Sequence, residues 1–200
     1  MNCRFCQNTL STEFIDLVNS LASNSFLTTE QLNEPETFYP LKVFVCDACF
    51  LVQVDEYKKS DAIFNGDYAY FSSYSTSWLA HAERYTDLMI ARFGFNQTSQ
   101  VIEIASNDGY LLQYFKEQNI PVLGVEPTKN TAEVAISKGI DTVTEFFGTK
   151  FAEKLVKKGV KADLLLGNNV LAHVPDINDF VGGMKIVLNT EGASQWNFRI

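Results

Sequence analysis

The chain has 200 residues, of which 46% are hydrophobic and 13% aromatic, a composition that excludes a disordered polymer and supports one or two packed domains. With 24 acidic and 16 basic side chains the net charge is −8, so neither a phosphate-tracking nucleic-acid surface nor a cationic membrane face is expected. No apolar run is long enough for a membrane span, and Met1-Asn2-Cys3-Arg4 enters a cysteine motif without a signal-peptide core; a cytoplasmic monomer handling a small soluble substrate is expected.

All four cysteines fall in two Cys-x-x-Cys pairs, Cys3/Cys6 and Cys46/Cys49. Two residues between thiolates let both face one ion from a tight knuckle, and two knuckles complete a tetrathiolate site, so residues 1–60 read as a small metal-stapled domain. Structural zinc is favoured. An iron site has the same spelling, and two disulfides or a dithiol redox motif are the alternatives. Within this domain a loop passes through Asn33-Glu34-Pro35-Glu36, a strand over 41–45 enters the second knuckle, and a further strand follows over 50–54.

Residues 61–97 read as an aromatic, hydroxyl-rich segment followed by a linking helix over 77–93. Trp78, Ala82, Tyr85 and Met89 recur at helical spacing, with Ser75 or Ser77 as the cap. From 98 to 200 strands are predicted at 100–105, 121–125, 140–143, 162–166 and 193–199, with helices at 109–118, 129–138, 149–158 and 177–188. That alternation implies an α/β fold with a parallel, Rossmann-like sheet.

The run Val101-Ile102-Glu103-Ile104-Ala105-Ser106-Asn107-Asp108-Gly109 is a strand ending in a small-residue turn, and Gly124-Val125-Glu126 ends the next strand with an acid. In a doubly wound sheet such a turn lets backbone approach a nucleoside while the acid accepts its ribose hydroxyls. A dinucleotide turn would carry three glycines. Ala105 and Asn107 replace the first two, which favours an adenosyl ligand without phosphates. An ordinary strand-to-helix turn with Ser106, Asn107 or Asp108 as N-cap is the plainer alternative.

Several blocks occur in a telling order: the paired knuckles, Asp67-Tyr68-Ala69-Tyr70-Phe71-Ser72-Ser73-Tyr74-Ser75, Glu103 to Leu112, Gly124-Val125-Glu126-Pro127, and Gly167-Asn168-Asn169-Val170-Leu171-Ala172-His173-Val174-Pro175. Together they resemble the S-adenosylmethionine-dependent C-methyltransferases of nucleotide-linked keto-deoxysugars, from Cys3 to about Gly192. The resemblance implies a zinc-binding domain, a class I methyltransferase domain and a third, C-terminal domain with a Glu-His pair as general base. No such pair occurs in this sequence, where His81 and His173 are the two histidines. The ending at Ile200 therefore reads as truncated before that domain, and a catalytically impaired cofactor-binding module is the alternative function.

The resemblance further makes Glu103 the acid ordering the turn beside the methionyl end, with a buried salt-bridged acid as the alternative, and has Ala105, Ser106, Asn107 and Gly109 line the cofactor. Glu126, with Pro127 beside it, takes the ribose. Phe146 and Phe147 follow the third predicted strand, where either could stack on adenine or simply join the core; Phe147 is the candidate. Asn168 and Asn169 close the fourth, where they could touch the methionine portion or cap the next helix. His173, His81 and Tyr74 are the catalytic candidates for proton transfer or for holding the enolate oxygen. The resemblance implies S-adenosylmethionine and structural zinc as cofactors and a sugar nucleotide as substrate.

Overall fold

The first unit, Met1–Ile63, is built on two cysteine turns and three antiparallel strands. The computed structural model describes residues 1–64 and 68–197; Asn65, Gly66 and Asp67 of the aromatic segment and Phe198, Arg199 and Ile200 of the predicted last strand lie outside them. The strands are β1 (Thr12–Ser20), β2 (Tyr39–Val45) and β3 (Val52–Val54), and helix α1 (Ser60–Ile63) follows. The sequence reading had no counterpart to β1, whose nine residues are all exposed and whose pairing with β2 is twice irregular. At the second irregularity Val18 adopts φ +66°, and its N–H donates to Asp16 Oδ1 at 2.8 Å. The buried core of this unit is only Cys3, Leu10 and Cys46, with Phe44, Cys49 and Leu51 against it. So small a core does not hold a sheet by burial alone.

The second unit, Phe64–Ile200, contains helix α2 (Thr76–Phe93) as well as the alternating strands and helices, so the helix predicted as a linker packs in this unit's core. Ser75 caps α2, its hydroxyl accepting from the Trp78 N–H, and Gly94 at φ +69° ends it. The sheet comprises β4 (Val101–Ile104), β5 (Val122–Val125), β6 (Thr142–Val143), β7 (Ala162–Asn168) and β8 (Leu188–Asn197) in the order β6-β5-β4-β7-β8, every pair parallel. Helices α3 (Leu112–Glu117), α4 (Lys129–Ser137), α5 (Thr149–Lys157) and α6 (Ile177–Val187) connect them.

Side chains alternate along the central strands, as a pleat covered on both faces requires. Val101, Leu164 and Leu166 join α2, α3 and α4 in one core cluster; Ile102, Ile104 and Leu165 join α5 and α6 in the other. Because the chain steps from β4 outward to β5 and β6, then returns to the other side of β4 for β7, the connections diverge between the carboxyl ends of β4 and β7. That divergence leaves the crevice where open α/β sheets bind ligands.

Gly109 sits at this crevice with φ +73°, and an added Cβ would stand 2.3 Å from Ile140 Cδ1 and 3.2 Å from Ala135 Cβ. Gly109→Ala is therefore expected to destabilise the second unit by roughly 2–4 kcal/mol, combining left-handed strain with overpacking. Urea denaturation measures this, and an unchanged midpoint would contradict the packing described.

Candidate functional site

Each cysteine knuckle closes in the same way. Gln7 N–H donates to Cys3 O at 2.9 Å and Phe50 N–H to Cys46 O at 2.8 Å, with Gln7 at φ +62° and Phe50 at φ +63° directly after the second cysteine of each pair. These turns bring the four Sγ atoms within 4.8 Å of one another. Cys3 and Cys49 sulfurs stand 3.6 Å apart and those of Cys6 and Cys46 3.5 Å, near the ~3.8 Å edge of a tetrahedron with zinc–sulfur bonds of about 2.3 Å. All four thiols are free, and sulfurs so spaced are not disulfide-bonded.

Gln53 Nε2 donates to Cys3 Sγ at 3.3 Å, an outer contact that fixes one ligand. Burial would raise the Cys3 thiol, but hydrogen bonds from the Cys6 amide, the Gln53 side chain, the Phe5 amide and Cys49 bring it down to about 6. The Leu51 amide would lower Cys49, yet burial and the three neighbouring thiols push it up to about 12. Four thiols this close do not all ionise without a cation. The residues fit one zinc ion with every position filled by protein, a site that organises structure and has no open position for a reactant.

In the second unit the crevice is shaped by three left-handed residues at alternate positions, Ala105 (φ +55°), Asn107 (φ +52°) and Gly109. The backbone thus demands what glycine offers at all three. Glu126, 4% exposed, holds the turn from the end of β5: Oε2 accepts the Asn107 N–H at 2.8 Å, while Oε1 accepts the Thr128 N–H at 2.9 Å and the Thr128 hydroxyl. Burial raises the Glu126 carboxyl above the ordinary range, opposed by those hydrogen bonds from Thr128 and Asn107. Pro127 is half-buried beside it. None of Ser106, Asn107 and Asp108 caps α3, because the helix begins only at Leu112, after Leu111.

Glu103 is fully buried inside β4. Oε1 accepts from Asn168 Nδ2 at 3.3 Å, that amide also donates to the Tyr110 hydroxyl at 2.8 Å, and Oε2 has no partner among the described residues. Among the described residues no cation pairs with it. Burial pushes its carboxyl up to about 8 despite hydrogen bonds from Asn168 and Tyr110, and the Glu126 and Asp108 charges add to the rise. Ser106 Oγ and Asp108 Oδ1 are further buried oxygens without partners among the described residues. Left-handed backbone, a buried acid at the end of the next strand and polar atoms without partners among the described residues suit a nucleoside ligand with a polar, cationic end.

Asn168 closes β7 and lines a cavity of about 20 Å³, room for roughly one water, with Trp78, His81, Tyr85, Tyr110 and Gln195. His81 stacks on Trp78 at 5.0 Å between centroids, and Trp78 stacks on Tyr110 at 5.9 Å. His81 is thereby brought to the Asn168 side of the crevice. His173 lies exposed on the single 3-10 turn Leu171–His173 after β7, Asn169 is exposed at φ +53°, and Tyr74 is exposed and stacked on Phe71 at 5.2 Å. Asp176, and neither Asn168 nor Asn169, caps α6. Phe147 packs edge-to-face on Phe180 at 5.3 Å in the second core cluster, and the neighbouring Phe146 is the more exposed.

Sequence reasoning missed the phenols of Tyr110 and Tyr85 as wall residues. The spacing Trp78, His81, Ala82, Tyr85 carried the signal, since one helical face presents all four.

Residues 3–64 match the model of a family described as "Putative zinc binding domain". A C-methyltransferase, NovU of Streptomyces niveus, is 30% identical over 190 residues, 95% of this chain and 45% of that protein. The resemblance to a C-methyltransferase holds over nearly the whole chain. A ubiquinone biosynthesis O-methyltransferase of Bartonella quintana is 28% identical over 95 residues, 47% of this chain and 38% of the relative. The chain thus spans less than half the length of these relatives. A Methanococcus maripaludis protein, described as a "putative s-adenosyl-l-methionine-dependent methyltransferase", superposes with a TM-score of 0.51 at 17% identity, covering 62% of this chain and 59% of that one. The second unit has the class I methyltransferase fold.

Metal analysis of the purified, reduced protein is expected to return one zinc per chain, and chelation to unfold the first unit, read as loss of protection across β1–β3. Zinc-free protein with an intact first unit would refute the staple. For Glu103 the folded-state value of about 8 lies above the unfolded one near 4.5, so its stabilising contribution is full below pH 4.5 and lost as pH rises through about 8. Urea titrations of the ligand-free protein should show this decline, and Glu103→Gln should flatten it.

Proposed function

We propose that the chain binds S-adenosylmethionine in the β4–β7 crevice and serves methyl transfer to a carbon of a nucleotide-linked keto-deoxysugar. The observation that carries this reading is the left-handed turn at Ala105, Asn107 and Gly109 held against Glu126 at a parallel-sheet switch point. Glu126 and Pro127 take the ribose edge, Ser106 and Gly109 the close backbone approach, and Glu103 with Asn168 the methionyl end; Asn169 follows at the same strand end. Phe147 serves the adenine side, from a ring anchored on Phe180. The bound cofactor supplies an electrophilic methyl group, and no metal activation is needed.

The chain's residues then align the reacting carbon with that methyl and hold charge on the substrate oxygen. His173 or His81 accepts the proton lost from the carbon beside the keto group, and Tyr74 donates a hydrogen bond to the oxygen that gains charge. Zinc holds the first unit together and takes no part in the transfer. The reading keeps the protein in the cytoplasm as a monomer. A cofactor-binding module without turnover is the second reading; it is supported by the exposure of both histidines.

Calorimetry with S-adenosylhomocysteine should show binding, weakened about tenfold or more by Glu126→Gln, since a charged hydrogen-bond acceptor is lost. No binding by the wild-type chain would sink both readings. A methyl-transfer assay with a keto-deoxysugar nucleotide separates them: product supports the enzyme, and binding without product supports the module.

A further inference from the structure

At φ +52° Asn107 occupies a position of the turn that glycine fills more cheaply, and its side chain shows what the asparagine adds. Oδ1 accepts the Ser72 N–H at 2.8 Å and Nδ2 donates to Tyr70 O at 3.0 Å, a two-way pairing that mimics one rung of a β-ladder. The next residue continues it. Asp108 Oδ2 accepts the Ser73 N–H at 3.3 Å and the Ser73 hydroxyl, while Lys138 Nζ secures Asp108 through its carbonyl at 2.9 Å. From α4, Asn130 Nδ2 donates to Tyr68 O at 2.7 Å. The main chain of 68–73 is thus fastened to the turn and to the helix after Glu126, while the Tyr70 and Tyr74 rings remain exposed. A glycine at 107 would keep the turn and lose both bonds to the segment.

We propose that Asn107 is a positioning residue that couples the cofactor turn to the Tyr68–Ser75 segment: its backbone shapes the turn and its carboxamide sets where the phenols of Tyr70 and Tyr74 stand. The inference rests on the reading of that turn as the cofactor seat. Filling the seat stiffens the turn, and Asn107 passes that stiffening to the segment that carries the hydroxyl groups. Specificity for a hydroxylated substrate then depends on a residue that need not touch it.

The test is amide hydrogen exchange on the full chain, with and without S-adenosylhomocysteine. Ligand-free Asn107→Gly should exchange the Ser72 amide roughly tenfold faster than wild type, the effect of losing its acceptor. In wild type the ligand should slow exchange at Ser72 and Ser73. In Asn107→Gly, measured at ligand concentrations that saturate that variant, the ligand should leave exchange at both amides unslowed. Asn107→Asp keeps the Ser72 acceptor and loses the donor to Tyr70, so intermediate protection is expected. Ligand-linked protection of Ser72 and Ser73 that survives in Asn107→Gly would overturn the coupling, and so would a wild type that binds the ligand without slowing either amide. If wild type fails to bind the ligand, the cofactor reading and the coupling fall together, and the ligand-free exchange rates decide the anchoring alone.

Discussion

The hydrogen bond from the Asn107 N–H to Glu126 joins the carboxyl ends of two neighbouring parallel strands, and the crevice depends on it. Without that acceptor, the amide of a left-handed residue would face a buried space unsatisfied, at a cost of about 1–3 kcal/mol. The same carboxylate accepts from the Thr128 N–H at the start of α4, so one side chain sets both the turn after β4 and the helix after β5. Burial strengthens these bonds, because water does not compete for the oxygens. It also makes the carboxylate hard to replace by an uncharged group.

The two units reach stability by different means. The second encloses two apolar clusters on the faces of a parallel sheet and needs no ion to do so. In the first, six residues make up the cluster around the cysteines, and most of the three-stranded sheet is exposed or half-exposed. A tetrathiolate ion supplies what that core lacks, and because its four positions are filled by protein it has no place for a reactant.

Much of this was legible in the sequence where the signal was periodic or chemically unusual. The strand–helix alternation after residue 98 gave the five strands to within a few residues, except that β8 begins at Leu188, five residues before the predicted strand. The paired cysteines announced their cluster, and Ser75 announced the start of α2. Strand β1 was not legible: it is exposed throughout and irregular, so Thr12–Ser20 carries no buried face from which a period could be read. The helix predicted from 109 starts at Leu112, since the left-handed Gly109 keeps the backbone out of the helix. The bonds from Asn107 and Asp108 to Ser72 and Ser73 span 35 residues, and no local pattern announces a contact of that range.

Charge explains the choice of ligand better than the count of glycines does. Glu103, Asp108 and Glu126 are three buried acids at one turn, and Lys138, near Asp108 at 3.6 Å, is the cation that pairs with them among the described residues. Asp108 raises both glutamates, and burial is the larger cause that pushes the Glu103 carboxyl up to about 8. A pyrophosphate placed here would add negative charge to a wall that already suppresses its own. A ligand carrying an ammonium or sulfonium group meets the opposite situation, since it would bring the buried carboxyl the cation it lacks among the described residues. The departures from glycine at 105 and 107 and the surplus of acid at 103, 108 and 126 therefore favour the same ligand class for independent reasons, one steric and one electrostatic.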